Sequence, residues 1–227
     1  MIPLLCLYII RKIKTGDFKW FRLKKRRFIR FAAGIGMVLL TSVSPFTYYL
    51  TDGEFQTFKV TRKGKEIGIV EIRKFINGDE ITYEIESKIR AKIIVNITIY
   101  SKERSIYRGD TLIYSKVFRK VNKRIKIQQE LKLIDGNYVL KNKGEISHLG
   151  PAITQINLAS MLCFEPVENN TVYSDGHNRL LNLDPLGYGK YRIVMPNGDK
   201  HTFIYEGGIC KEVQASGRFY KIKLERC

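Results

Sequence analysis

The residue types best suited to bind a metal are scarce in this chain. The sequence has three histidines, and the best metal grouping that can be assembled joins Asp175 and His177 with His201 or Cys210. Protein zinc sites use closely spaced ligand pairs such as Cys-x2-Cys or His-x3-His, and no such pair occurs here. The segment 175–178 is therefore predicted to form a turn, and we expect no metal and no cofactor.

A nucleophilic enzyme would need a serine or cysteine close to a histidine and a carboxylate. Cys163 closes an apolar segment, where a free cysteine usually behaves as a small hydrophobic residue. The sequence contains no Gly-x-Ser-x-Gly, no His-Glu-x-x-His and no glycine-rich phosphate loop. We therefore expect no catalytic residues, and a small hydrolase-like enzyme is the least favoured of the functions considered.

Cations dominate the charged residues, with 40 Lys and Arg against 22 acids and a formal net charge of +18. One acid-free cluster contains Lys116, Arg119, Lys120, Lys123, Arg124 and Lys126. Such a patch can bind lipid phosphates, and the alternative is a solvated hairpin tip whose lysines protect strand edges. An anionic lipid or another envelope component is the expected partner, with a protein partner left open. Nucleic acid is not expected, because the sequence carries no nucleic-acid-binding motif.

The N-terminal segment differs in kind from the rest of the chain. A dense basic run at 24–30 precedes an uncharged, mostly apolar run that reaches Thr51. This pattern is typical of a secretory leader, and it is also long enough for an uncleaved anchor of about 20 residues. Residues 1–50 are therefore predicted to be a leader or membrane anchor, with 24–50 as one helix. Basic residues before the apolar run would place residues 51–227 outside the cytoplasm, as one periplasmic or inner-membrane-anchored domain.

Alternating apolar and polar residues dominate the remainder, as in strands with one buried face. From Ile81 to Ile99 every odd position except Ser87 is apolar, over a length of about 60 Å if straight. That stretch must bend, curl or break without changing phase. Turn signals separate the strands at 63–64, 77–78, 108–110, 135–137 and 196–199. We predict an all-β fold: a strongly curved antiparallel meander or half-barrel, with the odd residues of 81–99 facing the core.

One segment instead carries helix signals. Gly150 and Pro151 precede an apolar run that ends near Leu162, and Pro166 lies just beyond it. A proline at the first helical position and another past the end mark a helix start and stop. We predict a helix of about three turns at about 151–162, packed on the concave face of the sheet.

The turn motifs and the signals at the element boundaries resemble those of a known group of sequences. The motifs are the short-loop hairpins, the Gly150-Pro151 start, Phe164-Glu165-Pro166, Tyr173-Ser174 and the hairpin at 195–198. Together they are similar to a family of uncharacterised exported β-domain proteins from Bacteroidota, over roughly residues 53–215. That family has no established activity, so the resemblance implies fold and export and assigns no functional residue. A more distant similarity, at the level of the fold alone, is to periplasmic lipoprotein carriers.

The concave face of the predicted sheet is long and aliphatic, which raises the question of a ligand. An apolar groove for an acyl chain would be lined by Ile93, Val95, Ile97, Met161 and Leu162. The alternatives are a fully packed core and a groove for a protein partner. The leading interpretation is thus a non-enzymatic cell-envelope domain with a structural or binding role, and the second is a periplasmic carrier of a hydrophobic or acyl ligand.

Overall fold

A computed structural model describes residues 53–92, 96–151, 156–218 and 220–227. These residues form fourteen strands and one short 3-10 helix. The strands are β1 Glu54–Arg62, β2 Lys65–Asn77, β3 Glu80–Lys92, β4 Asn96–Arg108, β5 Thr111–Val121, β6 Arg124–Ile134, β7 Asn137–Asn142, β8 Glu145–Pro151, β9 Thr171–Ser174, β10 Arg179–Gly187, β11 Lys190–Val194, β12 Lys200–Glu206, β13 Ile209–Gly217 and β14 Tyr220–Arg226.

All fourteen strands belong to one sheet of simple topology. Its order is β8-β7-β6-β5-β4-β3-β2-β1-β14-β13-β12-β11-β10-β9, and every neighbouring pair is antiparallel. In the part of the chain that the structure describes, β8 and β9 do not pair with each other, so these two strands are the edges of the sheet. The predicted antiparallel meander is confirmed, and each turn signal taken from the sequence lies at a hairpin.

The longest alternating stretch breaks into two strands without losing phase. β3 and β4 pair with Lys92 opposite Asn96, and residues 93–95 between them lie outside the described part of the chain. Ile85, Ile89 and Ile97 are buried, whereas Lys88 is exposed. The predicted inward phase of the odd positions is therefore confirmed for the described residues.

The predicted helix at about 151–162 is wrong over the described residues. Gly150 and Pro151 belong to strand β8, and Asn157 forms an isolated bridge with Tyr173 of β9. Helical geometry is confined to a single 3-10 turn, η1, at Ser160–Leu162. The Gly-Pro pair is typical of a helix start, but a proline on an edge strand is equally tolerated because no further strand needs its missing N–H.

The sheet curls until its edge region meets its opposite half. Asp175, in the turn between β9 and β10, receives hydrogen bonds from Ser105 of β4 and Ser115 of β5, which lie many strands away in the sheet order. The core fills the inside of this curl and takes in the buried segment around η1, including Leu158 and Met161. The half-barrel expectation is confirmed in this open, strongly curved form.

The predicted leader or anchor, including the helix at 24–50, lies outside the described residues. Among the residues that the structure describes, no helix is long and apolar enough to cross a membrane.

Candidate functional site

A polar cluster inside the curled sheet is centred on Asp175, which is 4% exposed. Its carboxylate accepts hydrogen bonds from the hydroxyls of Ser115 and Ser105, at 2.5 and 3.3 Å, and from the side-chain amide of Asn157 at 3.0 Å. The side-chain amide of Gln129 on β6 donates to the backbone carbonyl of Asp175. These hydrogen bonds therefore connect the β9–β10 turn to β4, β5 and β6, which lie far from it in the sheet order.

Burial raises the pKa of the Asp175 carboxyl to about 6, against the hydrogen bonds that favour its ionised form. His177, two residues on, has its Nδ1 at 2.8 Å from the Ser174 hydroxyl. Burial lowers the pKa of His177 to about 4, so its ring is neutral at pH 7. Burial thus raises the pKa of Asp175 and lowers the pKa of His177, and in both cases it favours the neutral form.

The residues considered as metal ligands do not converge. The Asp175 carboxylate is occupied by hydroxyl and amide donors, and His177 contacts Ser174. Cys210 is buried on β13, where its thiol lies 3.8 Å from a backbone carbonyl. Within the described ranges, no three His, Cys, Asp or Glu side chains are placed to hold a metal ion. The segment 175–178 is the turn that the sequence predicts.

One member of the predicted cationic patch lies inside the protein. Arg119 is 2% exposed, and its Nη2 lies 2.8 Å from Oε1 of Glu103 while its Nε donates to Ser101. Lys116, Lys120, Lys123 and Arg124 are exposed, and Lys126 is half-buried. The patch is thus corrected by removing Arg119, because alternate residues of β5 face opposite sides of the sheet. The alternation of Val117 and Val121, both buried, is the signal that could have placed Arg119 inside.

The interior has little room for an acyl chain. Ile97, Met161 and Leu162 are packed into the core, and Ile93 and Val95 lie outside the described residues. The cavity beside Leu162 has a volume of about 40 Å³, enough for a few waters. The predicted groove along the concave face is therefore filled by side chains over the residues that the structure describes.

An open cleft does exist at one end of the curl, which we call the rim cleft. Its volume is about 620 Å³, within the range usual for small-molecule sites. Its apolar wall consists of Ile81, Tyr83, Tyr107, Ile156 and Phe164. Its polar lining consists of Asp110, Ser160, Glu168 and Asn169. Tyr83 and Tyr107 pack edge to face, with ring centroids 6.1 Å apart. The cleft adjoins η1 but opens at the rim, which the sequence did not indicate.

Charge is segregated between the two ends of the sheet. Successive turns alternate between these ends, because each strand runs antiparallel to the next. At one end, the basic rim, each turn or its flanking strand residue carries a cation: Arg62, Lys63, Lys65, Lys92, Lys123, Arg124, Lys143, Arg179, Lys200 and Arg218. At the other end, the acidic rim, the corresponding positions carry Glu54, Asp79, Glu80, Asp110, Asp135 and Glu206, with Arg108, Lys190 and Arg226 as cations.

The acids at the basic rim do not cancel its charge. Glu145 is exposed there, while Asp175 and Asp199 are buried and hydrogen-bonded. At the acidic rim, Arg108 is already paired, 2.6 Å from Glu80. The rim cleft opens on the acidic rim, since Gly109 and Asp110 of the β4–β5 turn line it.

A comparison with protein families matches residues 58–227 to the family described as domain of unknown function DUF6134. The chain belongs to this family. The DUF6134 match begins within β1 and runs to the last residue, so the predicted leader precedes it. None of the curated proteins matches the sequence.

The DUF6134 domain is similar in fold to a solved structure, a β-barrel-like protein of domain of unknown function DUF1849 from Brucella abortus. The two are 12% identical, with a TM-score of 0.51, and the alignment covers 77% of this chain and 95% of the other. At that identity the likeness extends to the fold alone. The expectation of an uncharacterised β-domain family is confirmed, whereas the assignment to Bacteroidota and the expected export stay predictions.

Proposed function

We propose that this protein is an exported, non-enzymatic cell-envelope domain that docks on an anionic lipid surface through its basic rim. The observation that carries the proposal is the segregation of charge between the rims. A net charge of +18 spread evenly would indicate only solubility, but a ring of turns with a cation at each one forms a one-sided cationic surface.

The cations of the basic rim are available to a partner. Lys63, Lys65, Lys123, Lys143 and Lys200 are exposed, and none of these five forms an ion pair with another described residue. Each lysine or arginine near an anionic leaflet contributes about 1 kcal/mol of attraction. Several such residues in one rim are therefore sufficient for docking without any pocket.

The first described strand begins at the end of the sheet opposite the proposed docking surface. β1 begins at Glu54 on the acidic rim, so the chain enters the domain at the end opposite the docking surface. The longest strands have 13 residues, or about 40 Å along the strand. The start of β1 and the proposed docking surface therefore lie at opposite ends of the sheet.

The carrier alternative receives less support. A hydrophobic or acyl ligand in the concave sheet would need an interior space, and the cavity beside Leu162 has a volume of only about 40 Å³. The hydrolase alternative also receives less support. Ser174 and His177 are in hydrogen-bond contact, but no carboxylate among the described residues is bonded to the other ring nitrogen of His177, so the orienting acid of a triad is missing.

Vesicle binding by the full chain tests the docking surface. We would compare phosphatidylcholine vesicles with vesicles containing 30% phosphatidylglycerol, at 50 and 300 mM salt. The variant is Lys63→Gln/Lys123→Gln/Lys143→Gln, which neutralises three turns of the basic rim. The control, Lys102→Gln/Lys190→Gln/Lys211→Gln, removes the same charge from exposed positions elsewhere. All proteins keep the N-terminal segment, so its own affinity for lipid cancels in the comparison.

We expect binding to the anionic vesicles to weaken with salt and to fall about 10- to 100-fold in the rim variant, but only a few-fold in the control. Equal losses in both variants would mean that net charge alone attracts the protein, and the docking surface would be rejected. Failure to bind the anionic vesicles at low salt would reject it as well.

Export is tested separately by fractionating cells that produce the full chain. We expect the protein in the envelope fractions. Recovery in the cytoplasmic fraction alone would overturn this part of the proposal.

A further inference from the structure

The rim cleft lies at the opposite end of the molecule from the proposed docking surface and is independent of it. We propose that this cleft is a binding site for a small amphipathic cation, with an aliphatic or aromatic body and an ammonium-type head. The inference rests on the walls of the cleft, on the sign of charge around it, and on one hydroxyl left without a partner.

The walls suit the body of such a ligand. Ile81, Ile156 and Phe164 pack against the main core, but they are only partly buried and line the cleft. Tyr83 and Tyr107 add two aromatic rings in edge-to-face contact. A cleft of about 620 Å³ with this lining would bury the aliphatic or aromatic part of a drug-sized molecule.

The charge around the cleft has the opposite sign to that of the whole protein. Asp110 and Glu168 are exposed and line the cleft, and no lysine or arginine lines it in the described part of the chain. Two cations near the cleft are paired with acids: Lys74 lies 3.3 Å from Glu54, and Arg108 lies 2.6 Å from Glu80. The local field therefore favours a cationic head over the anionic head of a fatty acid.

Tyr83 supplies the third observation. It is 5% exposed and lines the cleft, yet its hydroxyl has no hydrogen-bond partner among the residues that the structure describes. This oxygen is not one of the buried unpartnered atoms, so it is open to the cleft and available to a ligand. Its oxygen can accept a hydrogen bond from an ammonium, and an aromatic ring in the lining can attract the same cation.

Three eight-carbon probes that differ only in the head group separate this proposal from general hydrophobic binding. We would titrate the full chain with octylammonium, 1-octanol and octanoate at pH 7.5 and below their micelle-forming concentrations, following binding by NMR. The variant is Asp110→Asn/Glu168→Gln, whose positions are exposed and should not affect folding. The control is Asp135→Asn/Glu206→Gln, which removes the same charge from the acidic rim outside the cleft.

We expect octylammonium to bind more tightly than octanol and octanoate to bind most weakly. The long-range field of a protein of charge +18 would give the reverse order for the two ions. The cleft variant should lose about three- to tenfold in octylammonium affinity, with octanol affinity unchanged and the control close to the original protein. Tyr83→Phe should weaken octylammonium further.

Several outcomes would overturn the site. These are octanoate binding as tightly as octylammonium, an octylammonium preference that survives in the cleft variant, and an equal loss in the control. NMR shifts that fall outside Tyr83, Tyr107 and Phe164 would also overturn it. The vesicle experiment does not bear on any of them, so the two proposals fail separately.

Discussion

Arg119 and Glu103 form an ion pair inside the curled sheet, with 2.8 Å between Nη2 and Oε1 and neither side chain more than 5% exposed. The pair joins β5 to β4, and Ser101 adds hydrogen bonds to both partners. Burying two charges costs free energy, so a pair of this kind stabilises the fold only as long as both members are present.

Removing one member of the Glu103–Arg119 pair should therefore lower the stability of the fold. We expect Glu103→Gln to lower the free energy of unfolding by about 3–5 kcal/mol, because Arg119 would remain charged and buried. Replacing both residues, as Glu103→Leu/Arg119→Met, should restore most of the loss. The measurement is urea-induced unfolding at pH 7.

An exposed pair provides the control for that experiment. Glu84 and Arg104 lie 3.6 Å apart on the outer face of β3 and β4. Glu84→Gln should cost less than about 1 kcal/mol, since solvent screens this pair. If Glu84→Gln and Glu103→Gln lowered the free energy of unfolding by similar amounts, the buried pair would contribute no more to stability than the exposed one.

The difference between sequence and structure at Arg119 has a simple cause. Clustered cations in a sequence indicate one surface only if they share a face, and neighbouring strand positions do not. Lys116 and Lys120 point outward, whereas Arg119 follows the buried phase of Val117 and Val121. The sequence predicts the strand phase correctly for 81–99, where the inward residues except Ser87 are apolar, but not for β5, where the inward Arg119 is charged.

The strands and their turns could be predicted because both signals are local. Alternation and turn residues act within a few positions of one another. The site could not be predicted in the same way. The partners of Asp175 come from β4, β5 and β6, and the charge of each rim becomes visible only when alternate turns are assigned to the same end. The apparent helix at 151–162 failed because proline marks an edge strand as readily as a helix start.

The buried carboxyl of Asp175 should make part of the stability depend on pH in an unusual direction. Its folded-state pKa of about 6 lies above the usual value of 3.8, so the folded protein binds this proton more readily than the unfolded chain. The contribution is therefore largest below pH 4 and is lost as pH rises through 6. It amounts to on the order of 3 kcal/mol over that interval.

Asp175→Asn isolates this contribution. We expect the free energy of unfolding of the original protein, minus that of the variant, to increase as pH falls from 7 to 4. Asp135→Asn, in an exposed turn, serves as the control and should show no such trend. A difference that is flat in pH, or that shrinks on acidification, would contradict the raised pKa.

His177 should act in the opposite sense over the same interval. Its folded-state pKa of about 4 lies below the usual 6.5, so the unfolded chain binds the proton first as pH falls. Its contribution is present above pH 6.5 and is lost as pH falls towards 4. The stability advantage of the original protein over His177→Gln should thus shrink on acidification. NMR titration of the His177 ring checks the pKa directly, and a midpoint near 6.5 would refute the prediction.

Gly189 should tolerate substitution much less well than Gly78, although both lie in hairpin turns at the acidic rim with a left-handed backbone. Their φ angles are +68° and +61°, so alanine is strained at either position. A Cβ at Gly189 would lie 2.7 Å from the carbonyl oxygen of Tyr205, whereas a Cβ at Gly78 would meet nothing within 4 Å. The Gly189 carbonyl also accepts a hydrogen bond from the Tyr205 N–H, so the two backbones cannot separate without losing it. We expect Gly78→Ala to cost about 1 kcal/mol and Gly189→Ala about 2–3 kcal/mol in urea-induced unfolding, and equal costs would argue against this close approach of β11 and β12.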